Sequence, residues 1–404
     1  MGKSLKDKMD IEAKWVEIDL DALAHNMKEI RKKAGADKRI CAVVKSDGYG
    51  HGVPEIIDTL LAAGADQFAV AVLNEALELR RSVPDRDILV LGSMPEGSEE
   101  ASIGADLQHT VTGLWKAKAL SDAAVKLGKT ARIHIKLDTG MTRLGFQMNQ
   151  QGVDEVIEIS KLPGLDLEGI FTHFARADET DKKWADAQYE KYCWFVGELE
   201  KHGITFRVKH ASNSAAIMEM PETHNDMVRP GIILYGIYPS DEVDRSLLDI
   251  KPVMSFKTRI THIKTLPEER QISYGGRYVA PEGSVIATVA VGYADGYTRA
   301  QSGKAEVLYK GQRAKVVGNI CMDQCMVDLT AFPDAKIGDE IVLMGISGDD
   351  FISADEVGAR YGTIGYEVVC AVNRRVPRYY IKDGIPVHKR DYLEDLDIND
   401  GKTV

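Results

Sequence analysis

From residue 40 to about residue 240, short β-branched apolar runs alternate with longer stretches whose apolar residues recur at helical spacing. The short runs begin near Ile40 (ICAVVK), Gln67 (QFAVAV), Asp87 (DILVLG), Leu107 (LQHTV), Ala131 (ARIHIKLD), Leu165 (LDLEGIFTHF), Arg207 (RVKHAS) and Asp226 (DMVRPG). Such runs, separated by amphipathic segments, mark a parallel sheet covered by helices. Segments 113–128 (GLWKAKALSDAAVKLG) and 183–203 (KWADAQYEKYCWFVGELEKHG) read as helices closed by glycine. Eight strands, each followed by a helix within about two hundred residues, have the length and rhythm of a (β/α)8 barrel.

Beyond about residue 250 the rhythm changes. Strand-like runs with turn residues between them follow one another: PVMSFKTRITHIKTL, VIATVAVGYADGY, EVLYKGQRAKVVGN, MVDLT and DEIVLMG. Only 353–362 (SADEVGARYG) has helical spacing, with Ser353 as cap and Gly362 as stop. The expected organisation is an α/β barrel over 15–248 and a mainly β domain over 249–404, with a strand near 14–20 packing on the second.

Composition changes this picture little. The 404 residues are 44% hydrophobic and 28% charged, as expected for globular domains. A formal net charge of -11 disfavours nucleic-acid or anionic-membrane partners, which need clustered cations on one face. Five cysteines are an odd and sparse set, which points to a reducing cytoplasm rather than a disulfide framework. Cys321 and Cys325 lack a second pair at zinc spacing, so no metal site is expected. The N-terminus lacks a signal-peptide core, and Gly2 is excluded as an acylation site by Lys6.

In a barrel, reactive groups belong at the C-terminal ends of strands, where the loops share one mouth. Reading those ends gives Lys45, Lys136 with Asp138, His173, Ser214 and Arg229. Lys45 ends an apolar run, where desolvation would favour the neutral amine that attack on a carbonyl requires; alternatively its stem carries the charge out to solvent. The SDGYGHG segment that follows would let the backbone approach a flat ring or a phosphate. Ser214 in HASNSAAIM and the amides of Gly231 and Ile232 suit a phosphate dianion, or Ser214 is a simple helix cap. His173 either stacks on a ring or is a satisfied barrel histidine, and Lys136 with Arg143 is either part of the site or a surface ion-pair cluster.

These residues resemble those of the bacterial alanine racemases, pyridoxal-phosphate enzymes built from a barrel and a β-domain. The resemblance covers nearly the whole chain: AVVKSDGYGHG, KLDTGMTRLGF, THFARAD, NSAAI, VRPGIILYG, ISYGGRY, VGYADGY, GNICMDQCMVDL and YEVVCAVNRRVPRYY occur in the family's order. It implies that Lys45 binds pyridoxal 5'-phosphate and that Tyr274 is the opposing acid–base. It also implies cofactor contacts by Tyr49, Arg143, His173, Ser214, Arg229, Gly231, Ile232 and Tyr366, and substrate contacts by Arg143, Met322 and Asp323. Lys136 matches a lysine that is carbamylated in some members. A head-to-tail homodimer is implied, with Tyr274, Met322 and Asp323 serving the partner's barrel, and an amino acid as substrate.

Two departures stand out. Ser46-Asp47-Gly48 stands where many members have Ala-Asn-Ala between lysine and tyrosine, so Ser46 and Asp47 add polarity there, and Gly365 before Tyr366 is small. L-alanine and D-alanine are the expected substrates because Tyr366 crowds larger side chains. The competing readings are a racemase of broader or serine specificity, a pyridoxal-phosphate-dependent decarboxylase, against which Arg229 speaks, and a non-catalytic carrier, which leaves the β-domain unexplained.

Overall fold

The structure, a computed structural model, describes residues 4–394. Gly2 lies outside them. The chain forms two compact units: one holds Leu23–Gly48 and Ile56–Ile250, and the other holds the described residues up to Ala22, Tyr49–Glu55 and those from Lys251 on.

Counting from β1 (Lys14–Asp19), which belongs to the second unit, the first unit contains β2 (Arg39–Val43), β3 (Gln67–Val70), β4 (Ile88–Val90), β5 (Gln108–Val111), β6 (Ala131–Lys136), β7 (Leu165–Phe171), β8 (Val208–His210) and β9 (Met227–Val228). All eight expected strands are present. They pair in parallel from β8 in sequence back to β2, and β9 joins the free edge of β2 through Arg39↔Met227 and Ile40↔Val228. The seam between β8 and β9 is stitched by Asp226 N–H to Lys209 O at 3.0 Å and Arg229 N–H to Ser212 O at 3.1 Å. The result is a nearly closed eight-stranded parallel barrel.

The helices form as their spacing dictates. Leu114–Leu127 stops at Gly128, whose φ of 62° is the left-handed cap glycine supplies without a Cβ penalty. Gln150–Ile159 buries Val153, Val156 and Ile159 against Ile133 and Ile135 of β6 and Phe195 of the helix Lys183–Lys201. Each such side chain contributes about 1.5–3 kcal/mol on full burial, so this layer between strands and helices holds the mouth residues in place. A bulge between Ile133 and His134 leaves Glu168 as the extra residue of β7 and sets Gly169 opposite His134.

In the second unit, a ten-stranded sheet runs β18 (Asp350–Ile352), β17 (Glu340–Ser347), β14 (Glu306–Tyr309), β15 (Gln312–Val317), β16 (Cys325–Asp328), β13 (Val285–Val289), β10 (Met254–Thr265), β1, β19 (Arg378–Lys382) and β20 (Ile385–Arg390). β17 also pairs with β10, and β11 (Arg270–Ile272) with β12 (Tyr278–Ala280) forms a separate hairpin. β1 lies antiparallel to β10 and parallel to β19. The Ser353-capped helix is present as Ala354–Ala359, the Ser353 hydroxyl accepting the Glu356 N–H at 2.9 Å.

A second helix beyond residue 250, Gly365–Ala371, corrects the expectation that 353–362 is the only one there. Its GYEVVCA sequence has strand propensity, but burial of Val368 and Val369 on one face outweighs that weak preference. Among the described residues no helix is long and apolar enough to cross a membrane, and all five cysteines are free thiols.

Candidate active site

The first unit carries Lys45 two residues beyond the end of β2, at the start of an unusual turn. Ser46, Asp47, Gly48 and Tyr49 all have φ between 53° and 62°, a left-handed run that includes three residues with a Cβ. Such residues cost roughly 1–2 kcal/mol each there, and strain of this size is held where function requires it. The turn is closed by Gly48 N–H to Val44 O at 2.9 Å, and Glu75 accepts the Ser46 N–H at 2.6 Å. Lys45 is therefore fixed in backbone direction while its side chain is only half-buried.

Arg229, at the end of β9, is buried with its guanidinium spread over three acceptors. Nη1 donates to His210 Nδ1 at 2.7 Å, and Nη2 donates to Thr172 O at 2.7 Å and Ala211 O at 2.9 Å. An imidazole nitrogen that accepts from arginine carries no proton, so His210 bears its proton on Nε2 and donates to His134 Nδ1 at 2.9 Å. His134 in turn bears its proton on Nε2, which faces Glu168 Oε2 at 3.9 Å. Burial, followed by repulsion from neighbouring arginines, holds His134 down to about 3 and His210 well below the ordinary histidine range. Both rings are neutral, and Gly169 makes room for them: a Cβ there would lie 2.2 Å from His134 Nδ1. Sequence reasoning missed this chain: His134 lies inside β6 and His210 is the last residue of β8, and no local pattern shows that their side chains meet.

Phe171 of β7 organises the surrounding charge. Its ring stacks on His210 at 4.6 Å, with Arg229 at 5.3 Å and Lys136 Nζ at 5.5 Å from its centroid. Lys136 donates to Leu137 O at 2.6 Å and Leu144 O at 3.3 Å. Burial, reinforced by Arg229, pushes its amine down to about 7. The surface ion-pair alternative for Lys136 does not hold: the side chain is buried, and Asp138 instead accepts the Gly140 and Thr142 N–H groups.

The same mouth gathers the other barrel residues. His173 is depressed well below its ordinary value by desolvation and then by repulsion from Arg229, Arg143, Lys136 and Lys45, so its ring is neutral. Arg143 lies in the exposed loop that Gly145 returns to β6. Ser214 is not the helix cap; Asn213 fills that position, accepting from Ala216 N–H, and the Ser214 hydroxyl receives the Gly231 N–H at 3.0 Å. Ile232 begins the short turn after Gly231.

Arg229 and Lys136 donate to main-chain carbonyls and to one neutral ring, acceptors that carry no charge. A buried cationic cluster of this kind suits an anionic ligand. That donor set fits pyridoxal phosphate, which brings a phosphate, a phenolic oxygen and a pyridine nitrogen.

The second unit holds the remaining candidates. Tyr274 follows β11 and is 72% exposed, although its backbone is fixed: its carbonyl accepts from Asn319 Nδ2 at 2.5 Å, and the Ser273 hydroxyl donates to Asn319 O at 2.6 Å. Met322, also exposed, and Asp323 lie on the turn after Asn319, with Asp323 paired to Arg375 at 2.7 Å. Tyr49 and Tyr366 have ring centroids 6.4 Å apart. Gly50 lets this segment approach the helix bearing Tyr366, since a Cβ would meet Val369 O at 2.4 Å.

Barrel and mouth together define an enzyme class: an α/β-barrel catalyst with a β unit, whose strand ends converge on a cationic site for a small anion. Family models narrow this further. Residues 18–239 match the alanine racemase N-terminal domain, and residues 253–380 match the alanine racemase C-terminal domain. The alanine racemase of Clostridium tetani is 49% identical over 380 residues, covering 94% of this chain and 98% of its own. A structure of Clostridium difficile alanine racemase in complex with cycloserine superposes with a TM-score of 0.89 at 42% identity, over 95% of this chain and 99% of that one. The Bacillus anthracis alanine racemase with bound L-Ala-P gives 0.90 at 36% identity, with the same coverage. The chain belongs to the alanine racemase family, a family of pyridoxal-phosphate-dependent isomerases. Racemase, rather than decarboxylase or carrier, is the reading these likenesses bear out.

Proposed function

We propose that this chain interconverts L-alanine and D-alanine with pyridoxal 5'-phosphate bound through Lys45, and that Lys45 and Tyr274 are the two bases. Inversion at Cα requires a proton to leave one face and another to arrive on the opposite face, so two groups of matched reach must flank the carbon. The cofactor supplies electron withdrawal from Cα, which makes that proton removable. Lys45 holds or releases the proton on one face, and the Tyr274 hydroxyl does so on the other.

The observation that carries this reading is Arg229. Its pKa, lowered by burial to about 10, still leaves it charged near neutral pH. It can donate a hydrogen bond to a pyridine nitrogen without surrendering its proton, and neutral His210 behind it offers no proton either. Arg229 thus restrains electron withdrawal, which suits a catalyst that only inverts a centre. Tyr49, Ser214, Gly231, Ile232 and Tyr366 would hold the phosphate, and His173 would lie against the ring. Arg143 would face the phenolic oxygen and help with the substrate carboxylate, and Met322 would offer its amide to that carboxylate beside Asp323. Lys136, with a neutral amine accessible near pH 7, is suited to carbamylation, which would give Arg143 an anion to pair with.

We further propose a homodimer in which Tyr274, Met322 and Asp323 of one subunit serve the barrel of the other. Tyr274, Met322, Tyr293 and Ile364 are exposed, as side chains that serve a partner's barrel must be. Five free thiols fit a cytoplasmic setting. Purified protein incubated with pyridoxal phosphate should retain the cofactor's visible absorbance and convert alanine to its mirror image faster than serine or lysine. Lys45→Ala should lose both properties. Retention of both by Lys45→Ala, or preference for serine, would overturn the assignment of lysine or substrate.

A further inference from the structure

The second unit contains a buried carboxylate that the proposed chemistry does not use. Asp295 is fully buried, yet it gathers two cations on one oxygen: Lys14 Nζ at 2.7 Å and Arg375 Nε at 2.8 Å from Oδ1. Its other oxygen accepts the Gly292 N–H at 2.9 Å, capping its own turn. A carboxylate so desolvated is tolerable only with such partners. The surplus positive charge is discharged outward, because Arg375 Nη2 reaches Asp323 at 2.7 Å.

Two turns are braced by this arrangement. Cys321 O accepts the Tyr293 N–H and Met322 O accepts the Ala294 N–H, each at 3.0 Å. The two turns lie so close that a Cβ on Gly292 would meet Cys321 O at 2.3 Å and Met322 O at 2.4 Å. Because a trans peptide is planar with its C=O and N–H opposed, anchoring Cys321 O to Tyr293 fixes the direction of the Met322 N–H on the far side. Asp295 holds the first turn, Asp323 belongs to the second, and the flat guanidinium of Arg375 spans both. A lysine ammonium, as a single point charge, has no such fork.

The geometry points to Arg375 as a positioning residue that aims the Met322 amide at the substrate carboxylate by locking the Asp295 turn to the Asp323 turn. This rests on the assignment of Met322 as a carboxylate donor. Alanine keeps its carboxylate from ground state through transition state, so a misaimed amide weakens both alike. The effect then falls on KM more than on kcat.

The test uses the cofactor-loaded enzyme with Arg375→Lys, Asp323→Asn and the double variant. Expected are a KM for alanine raised about tenfold in each single variant, as for one well-aimed hydrogen bond lost, kcat changed much less, and a double variant little worse than either single. Inhibition by propanoate, which has the carboxylate but no amine, should weaken in parallel, while inhibition by ethylamine should not. A purely structural role would lower the thermal midpoint and kcat while leaving KM and propanoate inhibition unchanged, and that result would overturn the proposal. Should Arg375→Lys fail to fold, the more exposed Asp323→Asn gives the same comparison. If propanoate binds the unaltered enzyme no better than ethylamine does, the Met322 assignment itself is wrong; if propanoate is preferred but insensitive to both variants, only the role of Arg375 is.

Discussion

Replacing Lys136 with methionine should make stability less sensitive to pH, with a sign and size set by the burial of the amine. Its folded-state pKa is about 7 against an ordinary 10.5, lowered first by desolvation and then by Arg229. A lysine depressed in this way favours folding least at low pH. Below about 7 both states are protonated and the full penalty applies; between 7 and 10.5 only the unfolded state is protonated and the penalty shrinks; above 10.5 it is gone. At 1.36 kcal/mol per unit, the penalty is about 5 kcal/mol near pH 6 and about 2 kcal/mol near pH 9. Methionine removes it at both values. The stability of Lys136→Met relative to the parent should therefore rise by about 3 kcal/mol between roughly pH 9 and pH 6. Loss of the bonds to Leu137 O and Leu144 O lowers the variant by a similar amount throughout and does not alter the slope. The assay is the urea midpoint at fixed protein concentration in bicarbonate-free buffer, with an arm in bicarbonate read by mass spectrometry. A flat difference in bicarbonate-free buffer would refute the buried-amine reasoning.

Gly169→Ala should drive the His134 ring from its place, since the new Cβ would lie 2.2 Å from Nδ1, and disturb Arg229 through His210. Alanine turnover should fall roughly ten- to hundredfold with the fold retained by circular dichroism, as expected when a remote change misplaces a contact group. Lys116→Met should destabilise by about 3–5 kcal/mol, because it strands Glu99 in the buried pair at 2.5 Å. Denaturant midpoints of this variant and of Lys116→Met with Glu99→Gln check it, the second recovering part of the loss.

The barrel was legible because its strands are apolar runs bounded by turn residues, and such runs admit few alternatives at this length. Lys45, Lys136, His173, Ser214 and Arg229 stood at strand ends, so the topology alone gathers them. The left-handed turn was not legible, since Ser46, Asp47 and Tyr49 do not individually announce a positive φ; only the run of glycines around them hinted at it. His134 and His210 sit within strands, where the alternation of faces hides which side chains meet. The helix Gly365–Ala371 was obscured by its β-branched residues. The Asp295–Arg375–Asp323 brace joins residues far apart in the chain through side-chain geometry, and no local pattern carries it.

The central claim is that two bases of different origin, Lys45 and Tyr274, serve opposite faces of Cα. The most direct measurement is incorporation of solvent deuterium at Cα of L-alanine and of D-alanine by the cofactor-loaded Tyr274→Phe enzyme. The account predicts that the cofactor's absorbance is kept, that exchange collapses for the enantiomer whose proton Tyr274 removes, and that exchange persists for the other. Unchanged exchange and racemisation from both enantiomers would contradict it.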